Sequence, residues 1–349
     1  ASPAQGQARI PAYVLPAGER FIVQVTPEGG PVPYTLTLTS LAAPALVLDQ
    51  PVTSTTQANP IWTFSGQAGQ IVDIALNSAQ PEFDPRLALL DAGGSEIASD
   101  DGGGDLNARI AAFILPAEGQ YFVKALPVGS PVSYTLAIGT VTPQAIKPGE
   151  AVTSTLRQDT LWAFDGQAGQ PLNASVRSAT GGAPSLSVQT ATGAALRYSD
   201  GNAIAGFFPP QTGRYYLRVG SIDQTTGYTL EMEELQPTTI AFSETVTSTT
   251  MTNELWRFSG QAGQVVTIDM SGWIPGGFDP YLTLLGSDGR TLKENDDISS
   301  DNYDARIAAF ILPQSGDYFI RAGPPGYTTP YQLRLTARRA TSAVLGSSG

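Results

Sequence analysis

Cysteine and histidine are both absent from the 349-residue sequence, and only 14% of its residues are charged. Their absence excludes disulfides, thiolate and imidazole chemistry, and the usual zinc and copper sites. A net charge of −12 argues against nucleic acid and anionic membrane surfaces as partners. No apolar run approaches the roughly 18–20 residues of a membrane span, so membrane insertion is not expected, and no signal peptide is present at Ala1.

The residues that are abundant indicate an all-β protein. Glycine and proline number 37 and 27, and they separate short segments in which apolar and polar residues alternate. Such segments are 70–78, 86–92, 109–116, 120–127 and 133–141. Roughly eight strands of this kind in about 95 residues predict a jelly-roll-like β-sandwich.

Three sequence anchors recur in the same order. Val-Thr-Ser-Thr comes first, Trp-x-Phe-x-Gly-Gln-Ala-Gly-Gln second and Tyr-x-Leu third. The tryptophans at 62, 162 and 256 are 100 and 94 residues apart, so each repeat has the size of a domain. The predicted tandem domains are 50–141, 150–236, which is degenerate, and 244–337.

The two ends of the chain do not form whole repeats. Residues 8–25 match 108–125, and 31–38 match 131–138. Residues 1–42 are therefore predicted to be the C-terminal half of a sandwich, with three strands. Residues 338–349 align with the segment that opens a following repeat and are predicted to be a tail that can donate a strand.

The order of motifs resembles the bacterial pre-peptidase C-terminal (PPC) domain. The resemblance rests on Trp-x-Phe, Gly-Gln, Asp-Pro-x-Leu, Asp-Asp, Ala-Arg-Ile, Leu-Pro, Gly-x-Tyr and Tyr-x-Leu, and covers most of residues 50–337. It implies a secreted β-sandwich without catalytic activity, appended to extracellular peptidases and other surface proteins. It also implies a fold related to calcium-dependent collagen-binding modules.

Aspartates cluster in the first and third repeats, and two interpretations stay open. Calcium binds six to eight hard oxygens, which neighbouring loops could supply. Aspartate and glycine also form tight turns, and the ligand spacing of an EF-hand is absent. The candidate calcium ligands are Asp84, Asp91, Asp100, Asp101, Asp105, Asp279, Asp288, Asp296, Asp297, Asp301 and Asp304.

The second repeat indicates a structural ion pair. Alignment places Ala183 at the position of Asp84 and Ala203 at the position of Arg109, so both charges are lost together. Loss of one partner leaves a charge without its counterion, whereas loss of both is nearly neutral. We therefore expect salt bridges between Asp84 and Arg109, and between Asp279 and Arg306.

Catalytic motifs are not found. A serine nucleophile without histidine needs a lysine base, and the three lysines (Lys124, Lys147 and Lys293) lie outside any Ser-x-x-Lys motif. Gly-x-Ser-x-Gly is absent as well. We therefore expect no enzyme activity. Trp273 occurs in the third repeat only and is a candidate surface anchor, a sugar-stacking platform, or a residue packed on the sandwich edge.

Two functions remain open. The chain is either an extracellular or cell-surface structural protein whose copies assemble end to end by strand complementation, or a substrate- or cell-wall-binding accessory region of a secreted peptidase. Its partners would be copies of itself, or an extracellular protein or polysaccharide. The predicted assembly interface comprises Ile10, Tyr13, Leu15, Phe21, Thr341, Ser342, Ala343, Val344 and Leu345.

Overall fold

The fold was analysed in a computed structural model. It describes residues 10–339 except 11, 17, 27–32, 56–60, 79–83, 102–106, 129–132, 157–158, 179–183, 200–201, 221–225, 249–253, 273–279 and 324–329. Within these residues every regular element is a strand. No helix there has the length and apolar character needed to cross a membrane.

The first sandwich contains eight strands in two four-stranded sheets. One sheet has the order β1-β8-β3-β6 and the other β2-β7-β4-β5. The strands are β1 (Val52–Thr55), β2 (Ile61–Gly66), β3 (Ile71–Asn77), β4 (Asp84–Leu90), β5 (Glu96–Asp100), β6 (Ala108–Ile114), β7 (Gly119–Val128) and β8 (Ser133–Thr140).

The second sandwich repeats this order and adds one short linker strand. Its sheets are β10-β17-β12-β15 and β14-β13-β16-β11-β9, with β9 parallel to β11. The strands are β9 (Gln144–Ala145), β10 (Glu150–Leu156), β11 (Thr160–Gly166), β12 (Leu172–Ser178), β13 (Ser185–Thr190), β14 (Ala195–Tyr198), β15 (Ala203–Phe207), β16 (Gly213–Gly220) and β17 (Thr226–Glu234).

The third sandwich has the same plan, with sheets β19-β26-β21-β24 and β18-β20-β25-β22-β23. The strands are β18 (Thr238–Thr239), β19 (Thr245–Ser248), β20 (Glu254–Gly260), β21 (Gln264–Gly272), β22 (Tyr281–Leu285), β23 (Thr291–Asn295), β24 (Ala305–Ile311), β25 (Gly316–Gly323) and β26 (Tyr331–Arg339). In all three units the main strands alternate between the two sheets, except that the fourth and fifth pair as a hairpin in one sheet, and this is the jelly-roll order. The predicted all-β tandem sandwich fold is confirmed.

The repeated tryptophan and tyrosine meet inside each sandwich. Their strands belong to opposite sheets, and the tryptophan indole N–H donates to the tyrosine hydroxyl. The distances are 3.1 Å for Trp62–Tyr134, 2.8 Å for Trp162–Tyr228 and 3.1 Å for Trp256–Tyr331. All six side chains are buried. The two anchors therefore join the sheets through one satisfied polar contact in an apolar core.

Each sandwich also has a β-bulge at the same place, between the third and sixth main strands. Pairing shifts by one residue between Val72 and Ile74 in the first unit, and at matching positions in the others. The bulge residue has positive φ: 46° at Ala112, 57° at Gly206 and 48° at Ala309. A bulge leaves that residue outside the ladder, so its carbonyl is available to a neighbour.

The N-terminal segment differs from the prediction of three strands. Among its described residues, 10–44, no strand is present. The six sheets of the described residues form the three sandwiches, and none is left to oppose this segment and bury its apolar face. Ile10, Tyr13, Leu15 and Phe21 are exposed at 76%, 67%, 57% and 43%. The assignment of residues 1–42 to a half sandwich stays a prediction.

Candidate functional site

The aspartates of the first and third sandwiches take part in local turns. In the β4–β5 turn, Asp91 Oδ1 accepts the backbone N–H groups of Gly93 and Ser95, each at 2.9 Å. In the matching turn of the third unit, Asp288 Oδ1 accepts the N–H of Arg290 at 3.1 Å. Both are Asx-type turns, in which the carboxylate satisfies the backbone donors of its own turn.

The second group of aspartates follows the next strand of each unit. Asp100 Oδ2 accepts the N–H of Arg109 at 2.7 Å, and Asn295 Oδ1 accepts the N–H of Arg306 at 2.7 Å at the equivalent place. An amide therefore replaces the carboxylate with the same geometry. The bond requires an acceptor oxygen, and no charge is needed.

The remaining aspartates of the described residues do not converge on one point. Asp101, Asp296 and Asp301 are exposed, and Asp304 and Asp297 are partly buried. Within the described residues, no three aspartate or glutamate side chains lie close enough to hold a metal ion. The side chain of Asp84, and the whole of Asp105 and Asp279, lie outside the described part. The observed contacts support turn chemistry, and bound calcium stays a prediction.

The described ion pairs of the two arginines involve aspartates that the sequence did not point to, while the predicted partners, the Asp84 side chain and Asp279, lie outside the described residues. Arg109 forms its ion pair with Asp73 on β3, and Arg306 pairs with Asp269 on β21. Strand register explains the observed pairs. β6 lies beside β3, with Arg109 opposite Ala75 and Asp73 two residues further along, while Arg306 faces Asp269 directly. The partner of each arginine is therefore on the neighbouring strand of its own sheet.

Sequence comparison missed these pairs because the two partners do not align. Asp73 stands three residues after Gln70, whereas Asp269 stands five residues after Gln264. The second unit again lacks both charges, since Asn173 and Ala203 occupy the positions of Asp73 and Arg109. The reasoning that both members of a pair are lost together therefore holds for Asp73 and Arg109.

Contacts between sandwiches form at the bulges. Arg218 of the second unit donates to the carbonyl oxygens of Ala112 at 2.8 Å and Ala111 at 3.4 Å. Arg321 of the third unit donates to the carbonyl oxygen of Gly206 at 3.0 Å. Burial lowers the pKa of the Arg321 guanidinium from its ordinary value, and the nearby Arg197 lowers it further. Sequence analysis had singled out neither arginine.

A shallow cleft of about 510 Å³ lies where the second and third sandwiches meet. Its lining includes Gly169, Pro237, Arg257 and Asp317. The two charged groups named here form an ion pair at 3.8 Å, so they neutralise each other. A third charged residue, Asp288, also lines the cleft.

The predicted tail and surface anchor cannot be placed. Thr341, Ser342, Ala343, Val344 and Leu345 lie outside the described residues, as does Trp273. The N-terminal members of the predicted interface, in contrast, are described and carry exposed apolar side chains. The assembly interface stays a prediction.

Comparison with known proteins supports the resemblance noted in the sequence. Residues 252–323 match the family model of the bacterial pre-peptidase C-terminal domain, which confirms that resemblance. The matched residues lie inside the third sandwich. This family is an accessory domain, and no catalytic family is indicated. No curated protein matches the chain.

Solved structures show weaker likenesses. Aeromonas hydrophila PliG, a periplasmic inhibitor of g-type lysozyme, is 16% identical over 29% of this chain and 96% of its own, with a TM-score of 0.23. A triple jelly-roll turret protein of an archaeal virus is 10% identical over 84% of this chain and 83% of its own, with a TM-score of 0.20. Tripeptidyl peptidase 2 is 8% identical over 86% of this chain and 33% of its own, with a TM-score of 0.18. Scores this low carry no functional argument.

Proposed function

We propose that this protein is a non-catalytic extracellular structural protein whose copies join end to end into a filament or surface layer. The observation that supports this most is the row of exposed apolar side chains in the N-terminal segment. It includes Ile22 at 93% exposure and Leu38 at 85%. Apolar groups in such number on one segment indicate a surface that a partner covers.

The same positions are buried where the sandwich is complete. Tyr34 is 66% exposed, whereas the matching Tyr134 is 2% exposed. Leu36 is 56% exposed, whereas Leu136 is fully buried at 0%. Burial of one such side chain contributes about 1.5–3 kcal/mol. Several of them together supply enough free energy to hold a partner strand or sheet against the segment.

Strand addition would satisfy both the backbone and the apolar face of this segment. The tail sequence Thr341–Leu345 aligns with the segment that opens a following sandwich, so it is the proposed donor of one strand of a larger junction. A contact between one end of a copy and the other end of the next is heterologous. It propagates as a filament unless the rotation closes a ring.

The extracellular location rests on the composition and on the matched family. The sequence has few charged residues and many glycines and prolines, and PPC domains occur in secreted bacterial proteins. The non-catalytic role rests on the lack of a nucleophile–base motif and on the accessory nature of that family.

Deletion of Ser342–Gly349 tests the proposal. The intact chain should form polymers in light scattering and electron microscopy, and the deletion should abolish or shorten them. Thermal melting of the three sandwiches should be unchanged, because the deleted residues follow β26. A truncated chain that polymerises as well as the intact one contradicts donation by the tail. If the intact chain remains monomeric, assembly is contradicted and the accessory-binding role is the alternative. Pull-down with cell-wall polysaccharide then tests that role.

A further inference from the structure

Two junctions inside the chain are built in the same way. At the first, Ile114 at the end of β6 is 3% exposed and packs in one cluster with Leu161 of the second sandwich. At the second, the ring of Phe208, just after β15, lies 4.9 Å from the ring of Phe319 in the third sandwich. Ile114 and Phe208 hold the same position in the repeat. The first and second sandwiches thus each present one apolar residue beyond the bulge to the sandwich that follows.

An arginine completes each of these junctions. Arg218 and Arg321 occupy the same position on β16 and β25, and each donates to the bulge carbonyl of the preceding sandwich, at 2.8 Å and 3.0 Å. The bulge residues Ala112 and Gly206 have positive φ, which turns their carbonyls out of the ladder. A junction therefore consists of an apolar contact beside hydrogen bonds to the bulge.

The N-terminal segment repeats half of this arrangement on the first sandwich. Val14 aligns with Ile114. A side chain at Gly94, in the β4–β5 turn, would meet the carbonyl oxygen of Val14 at 2.7 Å; one at Gly193, in the matching turn, would meet that of Ile114 at 3.0 Å. Ala12, which aligns with Ala112, is 6% exposed. Residues 12–14 thus dock on the first sandwich as the end of a preceding sandwich does.

Two halves of such a junction are uncovered in the described part of the chain. On the third sandwich, Ile311 holds the position of Ile114 but is 60% exposed, and Ala309 at the bulge is exposed as well. In the N-terminal segment, Ile22 aligns with Phe319 and is 93% exposed. Gln24, at the position of the two arginines, is exposed and carries a hydrogen-bond donor. Ile311 and the bulge at Ala309 thus form the first side of a junction, and Ile22 and Gln24 form the second side.

We propose that these halves meet between copies, so that Ile311 of one copy packs against Ile22 of the next. Gln24 then donates its side-chain amide to the bulge carbonyls of Ala308 and Ala309, as the arginines do within the chain. This inference rests on the end-to-end assembly proposed above and identifies the surfaces that join. The occupant is a second copy, because the contact continues the interface that the chain already forms twice.

Opposite charges at the two isoleucines test the contact in the full-length protein. Ile311→Asp alone and Ile22→Lys alone should each lower the self-association constant about tenfold or more, since a charge replaces a buried apolar contact. A chain with both substitutions should recover polymers, because aspartate then meets lysine at every junction. Ile298→Asp is the matched control, since Ile298 is 39% exposed and precedes β24, at the opposite end from Ile311.

Sedimentation and electron microscopy measure assembly, and thermal melting checks that the sandwiches fold. If Ile311→Asp melts early, Ile311→Ser takes its place. If the intact chain and the Ile311→Asp chain, measured separately, polymerise equally well, this contact is overturned while end-to-end assembly stands. A double variant that fails to recover also overturns it. An intact chain that stays monomeric overturns the contact and the assembly together.

Discussion

At the scale of single residues, the tyrosines of the Tyr-x-Leu anchor combine burial with a polar role. Tyr331 accepts a hydrogen bond from Trp256 at 3.1 Å and donates to the Glu254 carboxylate. Burial raises the pKa of Tyr331 above its ordinary value of 10.0, and the hydrogen bond to Glu254 raises it further. The folded state thus favours the neutral phenol of Tyr331. The stability that the neutral phenol contributes is present below pH 10 and is lost as pH rises toward the pKa of the folded state.

We expect the third sandwich to lose stability above pH 10 through Tyr331. At pH 7, Tyr331→Phe should be destabilised by about 1–3 kcal/mol, because the buried indole N–H of Trp256 loses its acceptor. The difference between the variant and the intact chain should narrow as pH rises above 10. Calorimetry between pH 7 and 11 measures this, with Tyr303→Phe, at a 52% exposed tyrosine, as control. A stability difference between Tyr331→Phe and the intact chain that stays constant with pH would contradict the role assigned to the phenol proton.

The turn aspartates lead to a second prediction at this scale. A calcium chelator should leave the melting temperature of all three sandwiches unchanged. Asp91→Ala should destabilise the first sandwich by about 1 kcal/mol because two N–H groups lose their acceptor, and Asp91→Asn should retain most of the stability. Melting curves with and without chelator provide the measurement. A chelator effect on the first and third sandwiches alone would instead establish structural calcium.

At the scale of elements, register decides which charges meet. β6 and β24 each carry one arginine on the exposed face, and β3 and β21 supply its aspartate partner. Arg109 is 42% exposed, so the ion pair is partly solvated and contributes little. In the second and third units, a polar side chain hydrogen-bonds the bulge between the corresponding strands. Asn173 Oδ1 accepts the N–H of Gly206 at 2.9 Å, and Thr267 Oγ1 accepts that of Ala309 at 3.1 Å.

A pair of double-mutant cycles should separate the observed ion pair from the one expected earlier. Asp73→Ala and Arg109→Ala should show a coupling energy of up to about 1 kcal/mol, since the two side chains interact directly. Asp84→Ala and Arg109→Ala should be additive within about 0.3–0.5 kcal/mol. Urea unfolding followed by tryptophan fluorescence measures both. The reverse pattern would establish Asp84 as the partner of Arg109.

At the scale of the whole molecule, the sandwiches are joined by more than linkers. Each junction places an apolar cluster beside an arginine that donates to backbone carbonyls. Arg218 also pairs with Asp159 of its own unit at 3.2 Å, which holds the guanidinium in place. Since the side chain is 18% exposed, its hydrogen bonds are shielded from water and couple the two sandwiches.

We expect Arg218→Ala to uncouple the first and second sandwiches. Loss of the charged hydrogen bonds should remove about 1.5–3 kcal/mol from the junction, so that a shared unfolding transition separates into two. Calorimetry of the full chain measures this. Arg177→Ala is the matched control, because Arg177 lies in the same sandwich and its side chain is 68% exposed. Identical transitions in the Arg218 variant and the intact chain would show that the arginine does not couple the units.

The sequence by itself determined the all-β class, the three repeats and the tryptophan and tyrosine cores, because alternation and turn residues act over a few neighbouring positions. Only the tertiary structure decided which aspartate meets each arginine, since that depends on pairing between strands about 36 residues apart. It alone also revealed the faces between sandwiches. Positive φ is not expected for alanine from sequence. The contact between the Ala112 carbonyl and Arg218 therefore becomes visible only in the folded chain, where the bulge and the next unit are both present.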